Sequence, residues 1–348
     1  MNRKVIFRRH GDPHVLEVTS GADPGCNDDE LLIDVAFAGV NYADVLARRG
    51  LYKWADSPPT CVGFELAGTV RQVGARAEGF AVGDLVMAVT RFGGYADVVA
   101  VDARRAWKVP TNMSLEHAAA LPAVYLTAWQ SLVEVARVRS GESILIQAVA
   151  GGVGLAALQL SKHLGLVTYG TASTAAKLDS ARTEGLDHGM TYGGNGRPTF
   201  EQTVMMLTGG RGVDVVLDSL GGSGLRAGYR ALARGGRLVS IGAAGVAPAS
   251  WNPLELLRAG LDLARGGLFH PFQLIEDNRS IAGVQVLLLW DDVPRLDRGM
   301  SGLIALHREG KIRPVIDSIV PLERAHEAHA RLESRASTGK LLLRCRAA

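Results

Sequence analysis

The stretch GESILIQAVAGGVGLAALQLSK, residues 141–162, constrains the fold of this chain more than any other. It opens with an apolar run that predicts a buried strand, continues through small residues at 150–154 that predict a tight turn, and ends with apolar residues at helical spacing. A strand, a glycine turn and a helix in this order place backbone N–H groups and a positive helix end where a pyrophosphate can bind. Gly151 allows such a ligand to approach, and Gly154 allows the helix to pack close to the strand.

The turn departs from the complete glycine pattern, because Val149 occupies the first glycine position. Alone, it is also compatible with any sharp strand-to-helix connection in an α/β domain. The following segments alternate between strand and helix patterns, which predicts a parallel sheet covered by helices and favours a dinucleotide-binding sheet. The predicted strands are 167–171, 188–192, 213–218 and 237–242, and the predicted helices are 174–184, 199–207 and 225–233.

The end of the second predicted strand indicates which dinucleotide binds. An NAD site usually has Asp or Glu about 20 residues beyond the loop, where it binds the ribose 2′-OH. Here Gly170 occupies that place, so no carboxylate is present to repel a 2′-phosphate. Ser173 can donate a hydrogen bond, and Lys177 adds a positive charge one helical turn later. We therefore expect NADPH as the cofactor; the alternative for Lys177 is a solvated helix residue.

Length and composition favour two domains and exclude several classes of protein. The chain has 348 residues, which is too long for one typical core, and its net charge of +3 comes from scattered basic residues. This pattern argues against nucleic-acid binding. The three cysteines lie far apart, which argues against a disulfide framework and suits a reducing cytoplasm. Since neither a signal peptide nor an apolar run of 18 residues is present, we expect a cytoplasmic protein without a transmembrane segment.

Residues 1–124 have a different pattern, with short strand candidates separated by glycine and proline turns, and predict a compact, mainly β domain shaped as a distorted barrel. The candidate strands are 4–7, 31–38, 66–73, 85–89 and 96–101, with one helix at 42–49. After the alternating strands and helices of the predicted parallel sheet, we expect a helix at 252–263, an irregular segment at 265–279, a buried strand at 281–289, helices at 295–309 and 321–332, and a last strand at 340–344.

Several segments, in this order along nearly the whole chain, resemble medium-chain dehydrogenases/reductases of the quinone oxidoreductase branch, around the zeta-crystallin-like reductases and the synaptic-vesicle membrane protein homologues. The segments are VAFAGVNYAD (35–44), RGLY (49–52), GFELAGTV (63–70), GDLV (83–86), GGYA (93–96), AALP (119–122), YLTAW (125–129) and GKLLL (339–343). The resemblance implies a Rossmann-type doubly wound parallel sheet and a mainly β, GroES-like distorted barrel. It assigns 1–124 and 289–348 to the catalytic GroES-like domain and 125–288 to the NADPH-binding domain, and it implies a homodimer.

The same segments bear on metal binding. Zinc-dependent relatives carry Cys in the first segment and Gly-His-Glu in the third, where this chain has Asn41 and Phe64. Neither side chain suits Zn²⁺, which prefers thiolate, imidazole or carboxylate ligands. We therefore predict no metal. His326 and His329 lie three residues apart on a predicted helix, for which an exposed polar face is favoured over a metal site.

The resemblance implies hydride transfer from NADPH to a conjugated carbonyl acceptor, either a quinone or an enone. The first alternative is a 2-enoyl-CoA or other enoyl-thioester reductase of acyl or polyketide-type metabolism. The second is an NADPH-binding protein with little turnover. The expected partner is a small-molecule or CoA-linked acceptor. Either reduction requires a group that stabilises negative charge on the carbonyl oxygen, and an alkene acceptor also requires a proton donor.

Asn41, Tyr52 and Lys340 are the candidate catalytic residues. Asn41 is a candidate to hold the nicotinamide or the carbonyl oxygen, but it can instead cap the helix that begins at residue 42. The Tyr52 phenol can donate a proton, for which water competes, or be a rim aromatic. Lys340 can approach cofactor or substrate, or be a surface lysine on the last strand. The cofactor contacts implied by the resemblance are Asn41, Thr127, Gly151, Gly152, Val153, Ser173, Lys177, Tyr192, Ile241, Gly242, Leu268 and Phe269.

The segment 251–271 is predicted to form part of the substrate wall. Arg258, Arg265 and His270 lie in it and can meet an anionic carrier such as a coenzyme A phosphate, although three basic residues over such a span also occur by chance.

Overall fold

In the computed structural model of the chain, which describes residues 1–193, 198–247 and 253–346, the polypeptide forms two units. One comprises Met1–Leu126 and Val286–Ala348, and the other comprises Thr127–Gln285. The first unit is mainly β, whereas strands and helices alternate in the second. The predicted fold class is confirmed.

The first unit begins with short strands and three short helices, the last of which carries the chain into the second unit. These elements are β1 (Asn2–Phe7), β2 (Leu16–Gly21), β3 (Glu30–Val40), α1 (Tyr42–Arg48), β4 (Thr60–Cys61), β5 (Glu65–Val73), β6 (Leu85–Val89), β7 (Val98–Asp102), β8 (Ala106–Lys108), α2 (Leu115–Ala120) and α3 (Pro122–Trp129).

The second unit continues α3 with a π-helix, Gln130–Val135, and then alternates strands and helices. Its elements are β9 (Ser143–Ile146), α4 (Gly152–His163), β10 (Val167–Ala172), α5 (Ala175–Thr183), β11 (His188–Thr191), α6 (Phe200–Leu207), β12 (Val213–Asp218), α7 (Gly222–Arg230), β13 (Leu232–Ser240), α8 (Pro253–Gly266), α9 (Pro271–Asp277) and β14 (Ser280–Gly283).

The chain then returns to the first unit through a 3₁₀ turn, Val286–Leu289. The remaining elements are α10 (Val293–Arg308), β15 (Ile316–Pro321), α11 (Ala325–Glu333) and β16 (Lys340–Arg344). Within the ranges that the model describes, no helix combines the length and the apolar character needed to cross a membrane.

The main sheet of the first unit has the order β15-β16-β3-β5-β6-β8, and β7 pairs with β3. Strand β16 is antiparallel to β3, with Leu341 opposite Val40. Strand β5 is also antiparallel to β3, with Leu66 opposite Ala38. This register brings the end of β3 next to the beginnings of β5 and β16. The side chains that follow or open these strands therefore meet at one place in the sheet.

The sheet of the second unit is parallel throughout, in the order β11-β10-β9-β12-β13-β14. Strand β9 is buried along its whole length, as expected for a parallel strand with helices on both faces. Because the strands are parallel, the segments that follow β9, β10, β11 and β13 all leave the sheet at its carboxyl edge. That edge contains most of the predicted cofactor residues.

The segments 265–279 and 281–289 differ from their predictions. The segment 265–279 contains α9, which His270 caps by accepting a hydrogen bond from the N–H of Phe272 through Nδ1 (3.3 Å). The predicted strand 281–289 is only the short β14 followed by the 3₁₀ turn, and its residues are half-buried or exposed. Strand β14 lies at the end of the sheet order, so its apolar residues lack cover on one side. The homodimer stays a prediction.

Strand β10 extends to Ala172, beyond its predicted end at residue 171. Gly170 therefore lies inside the strand, paired with Ile146 on one side and Gly189 on the other. The place at the strand end that we assigned to Gly170 belongs to Ala172 and Ser173, neither of which is a carboxylate.

Gly154 is required by the packing of α4 on the turn that precedes it. A Cβ atom at this position would overlap the carbonyl oxygen of Ala148 and lie 2.6 Å from that of Val149. Both obstacles are backbone atoms, which cannot rotate away. We predict that Gly154→Ala lowers the free energy of unfolding by about 1–3 kcal/mol, the usual cost of forcing extra atoms into a packed interior.

Gly260→Ala is the matched control, because Gly260 lies in the exposed part of α8 and a Cβ there would have no atom within 4 Å. This change should raise the free energy of unfolding by about 0.5–1 kcal/mol, the advantage of alanine over glycine in a helix. Urea unfolding of both variants measures the two effects. Equal stability of Gly154→Ala and the wild type would contradict the assigned role.

Candidate functional site

The turn between β9 and α4 is held against the neighbouring strand β10. Thr171 accepts a hydrogen bond from the N–H of Ala148 through Oγ1 (3.3 Å), and its carbonyl accepts one from the N–H of Val149 (2.9 Å). Ala148 has a φ of 52°, in the left-handed region, which costs a residue with a Cβ about 1–2 kcal/mol. The backbone of the turn is therefore fixed by its neighbours, and the turn keeps a conformation that its own sequence disfavours.

Val149, which replaces the first glycine of the pattern, is buried and packs on Gly170. A Cβ at residue 170 would lie 2.8 Å from Val149 Cγ1 and 2.9 Å from Leu186 Cδ1. The space that a side chain would need at residue 170 is thus filled by Val149 and Leu186. The Val149 side chain in the turn after β9 therefore fits because β10 has glycine at residue 170.

Helix α4 begins at Gly152 after Gly151, and in the described part of the chain no side chain caps its N-terminus. The first N–H groups of a helix have no partner within the helix, so an uncapped start is suited to an anion. Gly151 has an ordinary φ of −79°. A Cβ there would meet only the carbonyl oxygen of Ala148, at 3.3 Å. The φ of Gly151 does not require glycine, whereas its approach to the Ala148 carbonyl oxygen leaves little room for a side chain.

The other predicted cofactor residues of this unit lie mostly at the carboxyl edge of its sheet. Ser173 is exposed directly after β10, and Lys177 is half-buried in the first turn of α5. Ile241 and Gly242 follow β13. Tyr192 follows β11, where its ring makes an edge contact with Phe200 at a centroid distance of 6.4 Å.

The remaining predicted contacts lie away from the ends of the strands. Leu268 is almost fully exposed. Phe269 packs against Tyr229, with ring centroids 4.9 Å apart, and beneath the guanidinium of Arg226. Thr127 lies in α3, where its carbonyl accepts a hydrogen bond from Ser131 Oγ (2.7 Å). These contacts give Phe269 a packing role within the chain.

Residues 251 and 252 of the predicted substrate wall lie outside the described residues. Two of the three basic residues predicted for this wall contact neighbouring residues in the chain. Arg258 forms an ion pair with Glu255 (2.7 Å), and His270 caps α9. Asp218, at the end of β12, accepts hydrogen bonds from the N–H groups of Leu220 and Gly221, and burial raises its pKa to about 6.

In the first unit the structure brings Asn41 and Lys340 together around a buried carboxylate. Lys340 forms an ion pair with Glu65, and its Nζ donates a hydrogen bond to Asn41 Oδ1 (2.6 Å). Asn41 Nδ2 donates to Glu65 Oε1 (2.9 Å). The alternative that Lys340 is a surface lysine is wrong, because its side chain is only 3% exposed. The Asn41 amide spans the two charged groups.

A second buried carboxylate, Asp44, adjoins this cluster from α1. It accepts hydrogen bonds from the N–H groups of Asn41 and Gly63 (both 2.8 Å) and from the Tyr95 hydroxyl (3.0 Å). Burial raises the pKa of Asp44 to about 7, although these donors and Lys340 favour its ionised form. Asp44 thus fixes the backbone of Asn41 at the start of α1.

His329 is not on an exposed polar face, as the sequence suggested. It is fully buried, and its Nε2 lies 3.3 Å from the Tyr95 hydroxyl oxygen. Burial lowers the pKa of His329 to about 3, so the ring stays neutral. It belongs to a buried hydrogen-bonded chain with Tyr95 and Asp44.

Tyr52 does not join Asn41 and Lys340 in a described contact. Its ring lies in an aromatic cluster, with edge contacts to Trp54 and Phe64 at centroid distances of 5.2 and 6.0 Å. Phe64 in turn packs on Phe92 (5.1 Å). An apolar ring thus occupies the position at which zinc-dependent relatives have histidine. Among the residues that the model covers, no three His, Cys, Asp or Glu side chains are placed to hold a metal ion.

Sequence reasoning missed Glu65 and Asp44 as members of this cluster. The signal for Glu65 was a carboxylate inside the apolar segment VGFELAG, where a charge needs a partner once it is buried. The signal for Asp44 was weaker, because an acidic residue in the first turn of a helix is ordinary. Neither signal identifies Lys340 as the partner.

Two family models match the chain. One, described as an alcohol dehydrogenase GroES-like domain, matches residues 27–111, and the other, described as a zinc-binding dehydrogenase, matches residues 185–343. The chain is also similar to the synaptic vesicle membrane protein VAT-1 homolog of Danio rerio. The identity is 35% over 344 residues, which cover 98% of this chain and 69% of the relative.

Two solved structures are similar over the whole chain. One is Escherichia coli quinone oxidoreductase complexed with NADPH, with a TM-score of 0.86, 28% identity and coverage of 99% of each chain. The other is the CurK enoyl reductase, with a TM-score of 0.83, 25% identity and coverage of 99% of each chain.

The raised pKa of Asp44 makes a prediction about stability. An acid whose folded pKa lies above its unfolded value adds stability at low pH and loses that contribution as pH rises toward the folded pKa. For Asp44 the window runs from its ordinary value of 3.8 to about 7. The wild type should therefore lose about 1.4 kcal/mol of unfolding free energy per pH unit from this group, and Asp44→Asn should lack that slope.

Urea unfolding between pH 5 and 7 measures the slope. Asp317→Asn is the control. Burial raises the pKa of Asp317, but the hydrogen bond from Arg331 outweighs it and holds the pKa below its usual value. The contribution of Asp317 to stability is therefore constant in that window. Parallel pH dependences for the wild type and Asp44→Asn would show that Asp44 does not take up a proton on folding.

Proposed function

Because the chain belongs to the medium-chain dehydrogenase/reductase superfamily, in its quinone oxidoreductase branch, we propose that it is an NADPH-dependent reductase of conjugated carbonyl acceptors, quinones or enones. Membership makes the chain an oxidoreductase of this superfamily. The observation that supports the cofactor assignment is the start of α4 at Gly152, which no described side chain caps. A bound pyrophosphate would accept hydrogen bonds from the backbone N–H groups there.

The residues after β10 favour NADPH over NADH. A cofactor with a 2′-phosphate needs hydrogen-bond donors and positive charge where NAD sites have a carboxylate. Ala172 and Ser173 end the strand without a carboxylate, and Lys177 follows in α5. The similar Escherichia coli structure contains NADPH. In this proposal Gly151, Gly152 and Val153 hold the pyrophosphate, and Ser173 and Lys177 hold the 2′-phosphate.

Bound NADPH supplies the hydride, and the chain's own residues prepare the acceptor. We assign Lys340 to the carbonyl oxygen, because a buried ammonium stabilises the negative charge that develops there. Asn41 orients the ammonium through its Oδ1. For an alkene acceptor, the Tyr52 hydroxyl is the proposed donor of the proton to carbon, with water as its competitor.

A second candidate is an enoyl-thioester reductase, which the similarity to the CurK enoyl reductase favours. It requires the same cofactor and the same stabilisation of a carbonyl oxygen, and differs in a CoA-linked or carrier-bound acceptor. The two functions therefore differ only in the acceptor.

Lys177→Ala tests the cofactor assignment. We predict that the dissociation constant of NADPH rises about 10- to 100-fold, because a charge-assisted hydrogen bond to the 2′-phosphate is worth about 1.5–3 kcal/mol. The dissociation constant of NADH should change by less than about twofold, because it lacks that phosphate.

Lys162→Ala is the control for the loss of a lysine in the same unit. Lys162 lies near the end of α4 and forms an ion pair with Asp187 (2.8 Å). It should leave both dissociation constants unchanged. Fluorescence titration with each dinucleotide measures all six values. Equal losses for NADPH and NADH in Lys177→Ala would remove the 2′-phosphate role.

The acceptor is identified by NADPH oxidation with two panels, quinones and 2-enoyl-CoA esters. We predict turnover of quinones or simple enones that falls by about 10²–10³ in Lys340→Met, the usual cost of losing one stabilising donor. Turnover confined to enoyl-CoA esters would establish the second candidate instead. Tight NADPH binding without turnover in either panel would indicate a cofactor-binding protein and overturn both.

A further inference from the structure

We propose that Glu65 is a positioning residue for this reduction, which holds Lys340 as an ammonium ion and leaves one of its protons directed to the carbonyl oxygen of the acceptor. The inference rests on the proposed function and concerns residues of the first unit alone. It assigns no contact between Glu65 and the substrate.

The Glu65 carboxylate is fixed through both of its oxygens. Oε1 accepts a hydrogen bond from Asn41 Nδ2 (2.9 Å) and forms the ion pair with Lys340. Oε2 accepts a hydrogen bond from the backbone N–H of Ala123 (2.7 Å). The side chain is completely buried. A carboxylate held by a backbone group on one oxygen presents the other in a constant direction, so its ion-pair partner is also held.

Lys340 has one donor more than the described residues use. An ammonium group has three N–H donors. Asn41 Oδ1 and Glu65 Oε1 engage two of them, and no other described residue accepts from Nζ. A buried donor without an acceptor costs free energy, so the third proton indicates a partner other than the described residues. A carbonyl oxygen that gains negative charge during hydride transfer is such a partner.

The backbone opposite Glu65 leaves room for this arrangement. A Cβ at Gly39, on β3, would overlap Glu65 Oε1 and lie 2.6 Å from Glu65 Cδ. The carboxylate therefore occupies the volume of the missing side chain. Gly39→Ala would displace the Glu65 carboxylate while keeping its charge. This variant therefore tests whether the position of the carboxylate matters in addition to its charge.

Few charged or titratable groups of the described chain lie near the Lys340 ammonium. Glu65 faces it from β5, and Asp44 contributes a second acidic group from α1, with Tyr95 and His329 beyond it. Strand β15 presents Ile316 opposite Lys340, and α2 packs on β16 with buried alanines. Glu65 is therefore the direct counter-charge of the ammonium, and Asp44 is the group to control for.

The main test is Glu65→Gln, which keeps the shape of the side chain and removes its charge. Without a counter-charge, burial favours the neutral amine of Lys340, and more so as pH rises. We expect kcat for the acceptor to fall by about 100-fold at pH 8, with a smaller deficit at pH 6. The KM for NADPH should stay within about twofold of the wild type. A merely structural role would give a deficit independent of pH.

Three further variants sharpen this test. Lys340→Met should show the full loss at both pH values, and the double variant with Glu65→Gln should lose no more than Lys340→Met alone. Gly39→Ala should lower kcat without a pH-dependent recovery. Glu78→Gln, an exposed carboxylate of the same unit, should leave kcat unchanged. Repeating the pH series with Asp44→Asn removes the other carboxylate near Lys340.

The outcomes separate this inference from the function on which it rests. Wild-type turnover together with a Glu65→Gln deficit that is absent, or equal at pH 6 and 8, overturns the role of Glu65 alone. Additive losses of kcat in the double variant do the same, with kcat of every variant expressed per folded enzyme and the folded fraction measured by urea unfolding. Absence of wild-type turnover with every acceptor overturns the proposed function and this inference together.

Discussion

The ion pair between Lys340 and Glu65 is the interaction on which the candidate site of the first unit depends. Both side chains are buried, and removing one partner of such a pair leaves a buried charge that costs about 3–5 kcal/mol. Asn41 bridges the pair, and Asp44 in turn fixes the backbone of Asn41. The arrangement of strands β3, β5 and β16 must therefore be maintained for the charges to remain compensated.

The second unit depends on a different constraint, the close approach of backbone to backbone at the turn before α4. Gly154 permits that approach, and Thr171 fixes the turn from the adjacent strand. Because backbone groups and small side chains form this region, its geometry changes little with side-chain identity elsewhere. The side chain of Val149 is accommodated in this turn because Gly170 has none.

The strands and helices of the second unit could be predicted from the sequence where their own residues show a strand or helix pattern of apolar residues. The strand at Val213–Asp218 was predicted with its observed bounds, because four of its six residues are apolar and three of those are valines. The prediction of a buried strand at 281–289 was wrong, because an apolar run does not specify whether a neighbouring strand covers it. Helix α9 was missed because its seven residues, which begin with a proline, offer little periodicity.

The sequence by itself determined the family, the strand–glycine–helix arrangement and the absence of a carboxylate after β10, because each is written in consecutive residues. Only the tertiary structure decided that Lys340 and Asn41, 299 residues apart, lie in hydrogen-bond contact, with Glu65 as their common partner. No local pattern specifies which of the seven lysines is buried. The register of β16 against β3 makes that choice, because sheet pairing brings distant strand ends together and burial then demands a counter-charge.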